Sequence, residues 1–133
     1  MEGVRRLEKA LRYELNRIEE IANKIHPTNA PEGQKPPYLV YILSSYRQMK
    51  TLDRIENDVK VSYLLNILAA SYEEMKRITK KVKDAVMGFQ ARQIGAEGIP
   101  VGDVTVNNVT ETYESELQLY RGIIDVTFWI KEV

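Results

Sequence analysis

The chain has no cysteine, only one histidine, and no net charge. Without cysteine there are no disulfides, thiolate metal sites or thiol nucleophiles, and nothing points to an oxidising compartment. A histidine metal cluster or a Ser-His-Asp triad would have to rest on His26 alone. That residue stands just before Pro27, at the expected end of a helix, where a histidine interacts favourably with the helix dipole. The 19 basic residues match the 19 acidic ones, which argues against a nucleic-acid binder held by bulk charge and against an acidic disordered tail. Long apolar runs are missing too. Tyr38–Leu43 and Tyr63–Ala70 fall far short of the roughly 20 residues a bilayer-spanning helix requires. Met1–Arg12 is charged every few residues, unlike a secretion signal. A soluble, intracellular protein with no membrane partner is expected.

Phosphate-binding motifs are absent. Gly95-Ala96-Glu97-Gly98 lacks the GxGxxG spacing, and no Lys-Ser or Lys-Thr follows it as in a P-loop. The acidic neighbours Glu19-Glu20, Glu73-Glu74 and Glu114/Glu116 suit solvated surfaces better than paired acid–base work. No catalytic residue, cofactor site or metal site is expected, and the chain is read as a non-enzyme.

What is present is a protein of 133 residues, 44% hydrophobic, enough for one domain spanning 1–133 with its own core. Val4, Leu7, Leu11, Leu15, Ile18, Ala22 and Ile25 recur at steps of three and four, predicting a helix over Gly3–Ile25 that Pro27 ends. The intervening charges, Glu8, Arg12, Glu14 and Glu20 among them, are expected on its exposed face. A proline-rich connection covers His26–Pro37. A strand is predicted from Tyr38 to near Arg47, rich in β-branched and aromatic residues, and a second over Asp58–Ala70. Val59, Val61, Tyr63, Leu65 and Ile67 mark one face of that second strand; Leu64 and Leu68 add apolar groups to the other.

Ser71 with Glu74 forms a capping-box pattern ahead of a helix over about Tyr72–Phe89, whose buried stripe is Met75, Ile78, Val82, Ala85, Val86 and Phe89. Residues 90–102, with three glycines and a proline, are expected to be a long mobile loop. Strands follow at Val104–Thr112 and Leu117–Glu132. In the last, Tyr120, Ile124, Val126, Phe128 and Ile130 face one way, and Leu119, Ile123 and Trp129 the other. The order α-β-β-α-β-β predicts an α+β fold: an antiparallel four-stranded sheet with both helices packed on one face. Large apolar groups on the other face mark a protein contact. The basic run Lys76, Arg77, Lys80, Lys81, Lys83 and Arg92 suits a solvated face; as an alternative it could track a phosphate backbone, making the chain a small nucleic-acid-binding module. A small enzyme or ligand-binding domain is a third reading, with no convergent polar groups to support it.

The stretch "IHPTNAPEGQKPPYLVYILSS", the "KTLDR" segment before a strand, "SYLLNILAASYEEMKRITKKVKDAVMG" and the closing "ETYESELQLYRGIIDVTFWI" stand in one order along nearly the whole chain. In that order they resemble the tail-completion, or head-to-tail joining, proteins of long-tailed bacteriophages and prophages. The resemblance implies a structural virion protein, made in the bacterial host cytoplasm and placed at the head–tail interface. It implies a homo-hexameric ring that caps the head-proximal end of the tail tube, stops its growth and docks to the filled head. Its partners would be further copies of itself, the tail-tube protein and a head-completion or connector protein, with DNA passing through the lumen without specific binding. A ring requires two different complementary patches per subunit. The expected patches are Leu64, Leu68, Leu119, Ile123 and Trp129 on the two apolar-rich strands, and Arg92, Ile94, Ile99 and Val101 in the 90–102 loop.

Overall fold

The computed structural model describes residues 2–50 and 55–131; Thr51, Leu52 and Asp53 of the "KTLDR" segment lie outside them. The chain is mostly β. Two helices, α1 (Glu2–Leu15) and α2 (Tyr72–Met87), accompany strands β1 (Ile25–Pro27), β2 (Tyr38–Lys50), β3 (Ile55–Ala69), β4 (Arg92–Ile94), β5 (Ile99–Glu114) and β6 (Leu119–Lys131). The strands form one curled, half-barrel sheet of six in the order β1-β2-β3-β6-β5-β4. All neighbours are antiparallel except β1, which runs parallel to β2. The four-stranded antiparallel α+β sheet expected from the sequence is therefore incorrect. The two strands that were missed are the two shortest, each of three residues, too short for any alternation to show.

The N-terminal helix is shorter than its apolar spacing predicts. It stops at Leu15, and a 3-10 turn at Glu19–Ile21 carries the chain into β1. Ile18 and Ile21 keep the apolar spacing of three, which suits a 3-10 turn as well as an α-helix, so the pattern outlasts the helix. Pro27 does not end a helix. It sits in an edge strand, where a missing N–H costs no ladder bond on the outer side. His26 is correspondingly not at a helix C-terminus; its Nε2 lies 2.7 Å from Gln34 Oε1, in the loop that follows.

Residues 90–102 hold a hairpin in place of the expected mobile loop. Arg92–Ile94 pairs with Ile99–Val101 as a hairpin, with Gly95 and Gly98 at positive φ in its turn. Gly95 also allows contact with α1: a Cβ there would lie 2.6 Å from the Cβ of Ala10. The glycines that suggest a loop are thus turn and contact residues.

Both helices bury against the same sheet face. Val59, Val61, Tyr63, Leu65 and Ile67 of β3 and Ile124, Val126, Phe128 and Ile130 of β6 meet Leu7, Leu11 and Leu15 of α1 and Ile78, Val82 and Val86 of α2. The ladder between β3 and β6 runs unbroken from Asp58↔Lys131 to Ala69↔Tyr120 and forms the sheet's centre. α2 approaches it closely because Gly122 has no side chain; a Cβ there would stand 2.3 Å from Thr79 Oγ1 and 2.9 Å from Met75 Sδ. Ser71 caps α2 as its sequence predicts, accepting from the Glu74 N–H at 3.2 Å.

Two core tyrosines tie α1 down through their polar ends. The Tyr63 hydroxyl donates to Glu8 Oε2 at 2.8 Å, and Tyr41 bonds Arg12. Burial raises the pKa of both phenols, against the pull of Arg12 at Tyr41; at Tyr63 Glu8 adds to it and lifts the pKa well above the ordinary range, so Tyr63 remains a donor. Glu8 and Arg12, expected to be a surface pair, therefore bind the core rim.

Candidate assembly surface

β3 and β6 alternate, so each residue buried under the helices has neighbours that emerge on the opposite, helix-free face. Across the middle of this face runs a polar row. Ser62 Oγ and Thr127 Oγ1 are 2.7 Å apart, and Asn107 Nδ2 donates to Thr127 Oγ1 at 2.8 Å and to Asp125 Oδ1 at 3.2 Å. Asn107 belongs to this row because a register shift between Val106 and Asn108 makes it the extra residue of a bulge. The row crosses a shallow concavity of about 380 Å³ that also includes Arg47, Lys60, Asp103 and Trp129. Lys60 Nζ stands 5.1 Å from the centre of the Trp129 ring, a cation–π contact on the pair's register Lys60↔Trp129.

Further along the face the groups become apolar and then mixed. Leu64 and Ile123 are half-buried. Asn66 is buried and donates to the Val40 carbonyl at 3.3 Å, while its Oδ1 accepts from Arg121 at 2.9 Å; Arg121 also binds Glu114 at 2.7 Å. Beyond them Leu68 and Leu119 join Tyr38 and Val40 in a second, smaller cluster, packed by Ala30 from the 28–37 loop and by Ile42.

The expected interface residues consequently separate. Leu64, Ile123 and Trp129 lie together on the helix-free face, partly open. Leu68 and Leu119 are on that face but buried, at 1% and 8% exposure. Ile94, Ile99 and Val101 are elsewhere: they belong to the main core beneath α1, which a mobile-loop reading had no means to show. Arg92 is exposed and reaches Glu14 Oε1 at 3.3 Å.

Glu14 was missed as a structural residue. It is buried, accepts from the Gly95 N–H at 2.8 Å, and lies within 3.7 Å of Arg17 as well as beside Arg92. It therefore fastens the β4–β5 hairpin to α1. Its spacing gave a signal, since it follows Leu7 by seven and Ala10 by four, on the buried stripe; its charge concealed it. The polar row was also legible in part, through the polar members of the alternation Lys60-Ser62 and Asp125-Thr127.

The basic run on α2 is largely neutralised within the chain. Lys76 binds Glu111 at 2.8 Å, Arg77 and Lys81 share Glu20 at 3.4 and 2.7 Å, and Lys80 binds Asp84 at 2.8 Å. The hydrogen bond from Lys81 is the main reason the Glu20 carboxyl titrates below its ordinary range. Among the described residues no group of three or more metal-ligating side chains gathers, and no helix is long and apolar enough to cross a membrane. What the helix-free face offers is shape, hydrogen bonds and half-buried apolar groups, which are the means of protein–protein contact.

No curated protein matches the chain in sequence. Among solved structures, a chain from the virion of a native gene transfer agent particle has a similar fold. Its TM-score is 0.62 at 9% identity, with 88% of this chain and 84% of that one covered. The family of the tail completion protein gp17 matches residues 9–131. With nearly the whole sequence matched and the elements in place, this chain belongs to the gp17 tail completion protein family, the phage tail proteins that its sequence order resembles.

Proposed function

We infer that this virion tail protein acts as a homo-oligomeric ring at the head-proximal end of the tail tube, where it stops tube growth and joins the tail to the head. The observation that carries this reading is the family match over residues 9–131. Two features of the molecule support it. The helix-free face keeps Leu64, Ile123 and Trp129 partly open beside a polar row, a composition suited to contact with another protein. The cations of α2 are held by carboxylates of the same chain, which leaves little free charge for a phosphate backbone and disfavours the nucleic-acid module. In this role the chain carries out no chemistry, and DNA passes through the lumen without specific binding.

Assembly in the absence of this protein tests the reading. Particle preparations lacking it should contain filled heads without tails and tube structures of uncontrolled length, and adding back the purified chain should restore joined particles. Joined particles with tails of normal length in its absence would contradict the proposed role.

A further inference from the structure

The two margins of the sheet are only partly closed. β4 pairs with β5 at Ile99–Val101 and no further, so from Asp103 to Glu114 β5 has a strand beside it on one side only among the described residues. The Val109 N–H donates to the side chain of its neighbour Asn108 at 3.1 Å, a local contact of the kind that competes with further strand pairing. On the other margin β1 accompanies β2 at Leu39–Tyr41 only, and Ile42–Ser45 come next along that edge. Proteins commonly guard such edges with lysine or proline. β5 has no lysine or arginine at any position, and its one proline, Pro100, lies within the part that β4 covers.

From these edges we propose that neighbouring copies of this chain join by strand addition, the β5 edge of one subunit pairing with the β2 edge of the next. This deepens the ring reading and rests on it. Three features select a second copy as the occupant. The first is charge. From Tyr38 to Met49 β2 contains Arg47 and no acid, whereas β5 contains no base and three acids, Asp103 and also Glu111 and Glu114, which bind Lys76 and Arg121 within the chain, so no register sets like charges of these two stretches opposite one another. A β5–β5 pairing, by contrast, joins two acidic strands.

The second is the position of exposed apolar groups. Leu43 on β2 and Val109 and Tyr113 on β5 are 38%, 39% and 49% exposed. The registers Leu43↔Tyr63, Val109↔Ile124 and Tyr113↔Tyr120 put all three on the helix-covered side. A sheet continued from subunit to subunit brings Leu43 alongside that β5 pair, next to the Tyr113–Tyr120–Tyr72 cluster, whose rings are 4.9 and 5.9 Å apart. The third is geometry. The two edges are at opposite margins of one sheet and differ from each other, as the heterologous contact of a closed ring requires.

The absence of cysteine makes the test direct. Asn108→Cys, Thr110→Cys and Thr112→Cys are each mixed with Ser45→Cys under mild oxidation, with native mass recorded on the same samples. At least one mixture should give a cross-linked dimer that neither variant gives alone, and the corresponding double variant should give a covalent ladder. Val109→Lys, a guarded edge, should abolish the oligomer while moving the melting temperature by no more than about 2 °C, as for other surface changes. An oligomer that persists in Val109→Lys with no mixed cross-link would overturn edge pairing and leave the ring reading intact. A monomer at every soluble concentration with no cross-link would overturn the pairing and also count against a ring that forms without a tail.

Discussion

The two faces of the sheet are built from the same strands and serve different ends. On the helix-covered face Tyr63, Leu65, Ile124 and Phe128 are fully buried, and the polar atoms present, such as the Tyr63 hydroxyl, are tied to α1. On the helix-free face the intervening residues Ser62, Leu64, Asp125 and Thr127 are half-buried; Ser62 and Thr127 bond each other, and Asn107 bonds Thr127 and Asp125. Alternation along a strand separates the two sets but does not say what covers each one. In this protein α1 and α2 cover one set, and among the described residues no helix covers the other. In the proposed role, the first face holds the fold together, and the second face and the sheet edges are where assembly would take place.

Substitutions can test that division. The largest expected effect is at the covered face: Phe128→Ala, which removes a ring stacked near Phe89 and Tyr63, should cost about 3–5 kcal/mol in chemical denaturation. Gly122→Ala should come next, since its new methyl group meets Thr79 and Met75; about 2 kcal/mol is expected, and Thr79→Ser should not restore it because the hydroxyl remains. Glu14→Gln should destabilise by about 1–2 kcal/mol by weakening the fastening of the β4–β5 hairpin, with hydrogen exchange rising first in residues 92–101. Trp129→Ala, at the helix-free face, should change stability by less than about 1 kcal/mol yet reduce assembly. A Trp129→Ala protein that is globally unfolded by circular dichroism would erase the distinction between the faces.

The smallest effect concerns pH. The Glu20 carboxyl titrates below its ordinary value because Lys81 and Arg77 bind its charged form. The unfolded chain therefore takes up this proton first as pH falls. The contribution is fully present above the ordinary carboxylate range and is lost as pH drops through the lowered value. A Glu20→Gln variant should lack that part of the acid slope while keeping the same stability profile near neutrality apart from a constant offset.

The long elements were legible because their periods are long enough to read. The two faces of β3 and β6 follow from residues such as Val59, Val61, Phe128 and Ile130, and the α2 cap follows from Ser71 and Glu74. The sheet's extent was not legible. Three-residue strands have no measurable period, and β1 pairs with β2 across a loop that contains three prolines and a glycine between residues 28 and 37. The 90–102 segment misled through its glycines, whose turn role depends on α1 lying against Gly95. The interface expectation mixed two environments for the same reason. Ile94, Ile99 and Val101 look available only when their segment is taken as a loop, whereas Leu64, Ile123 and Trp129 follow from alternation alone.

Native mass across a range of concentrations, with negative-stain images of the same samples and of samples mixed with tail tubes, tests the central claim most directly. A discrete species of about six subunits with a central hole, free or seated on tube ends, is the expected result, because a heterologous contact that closes gives a ring. A protein that remains monomeric at every concentration and forms no ring on tube ends would contradict it.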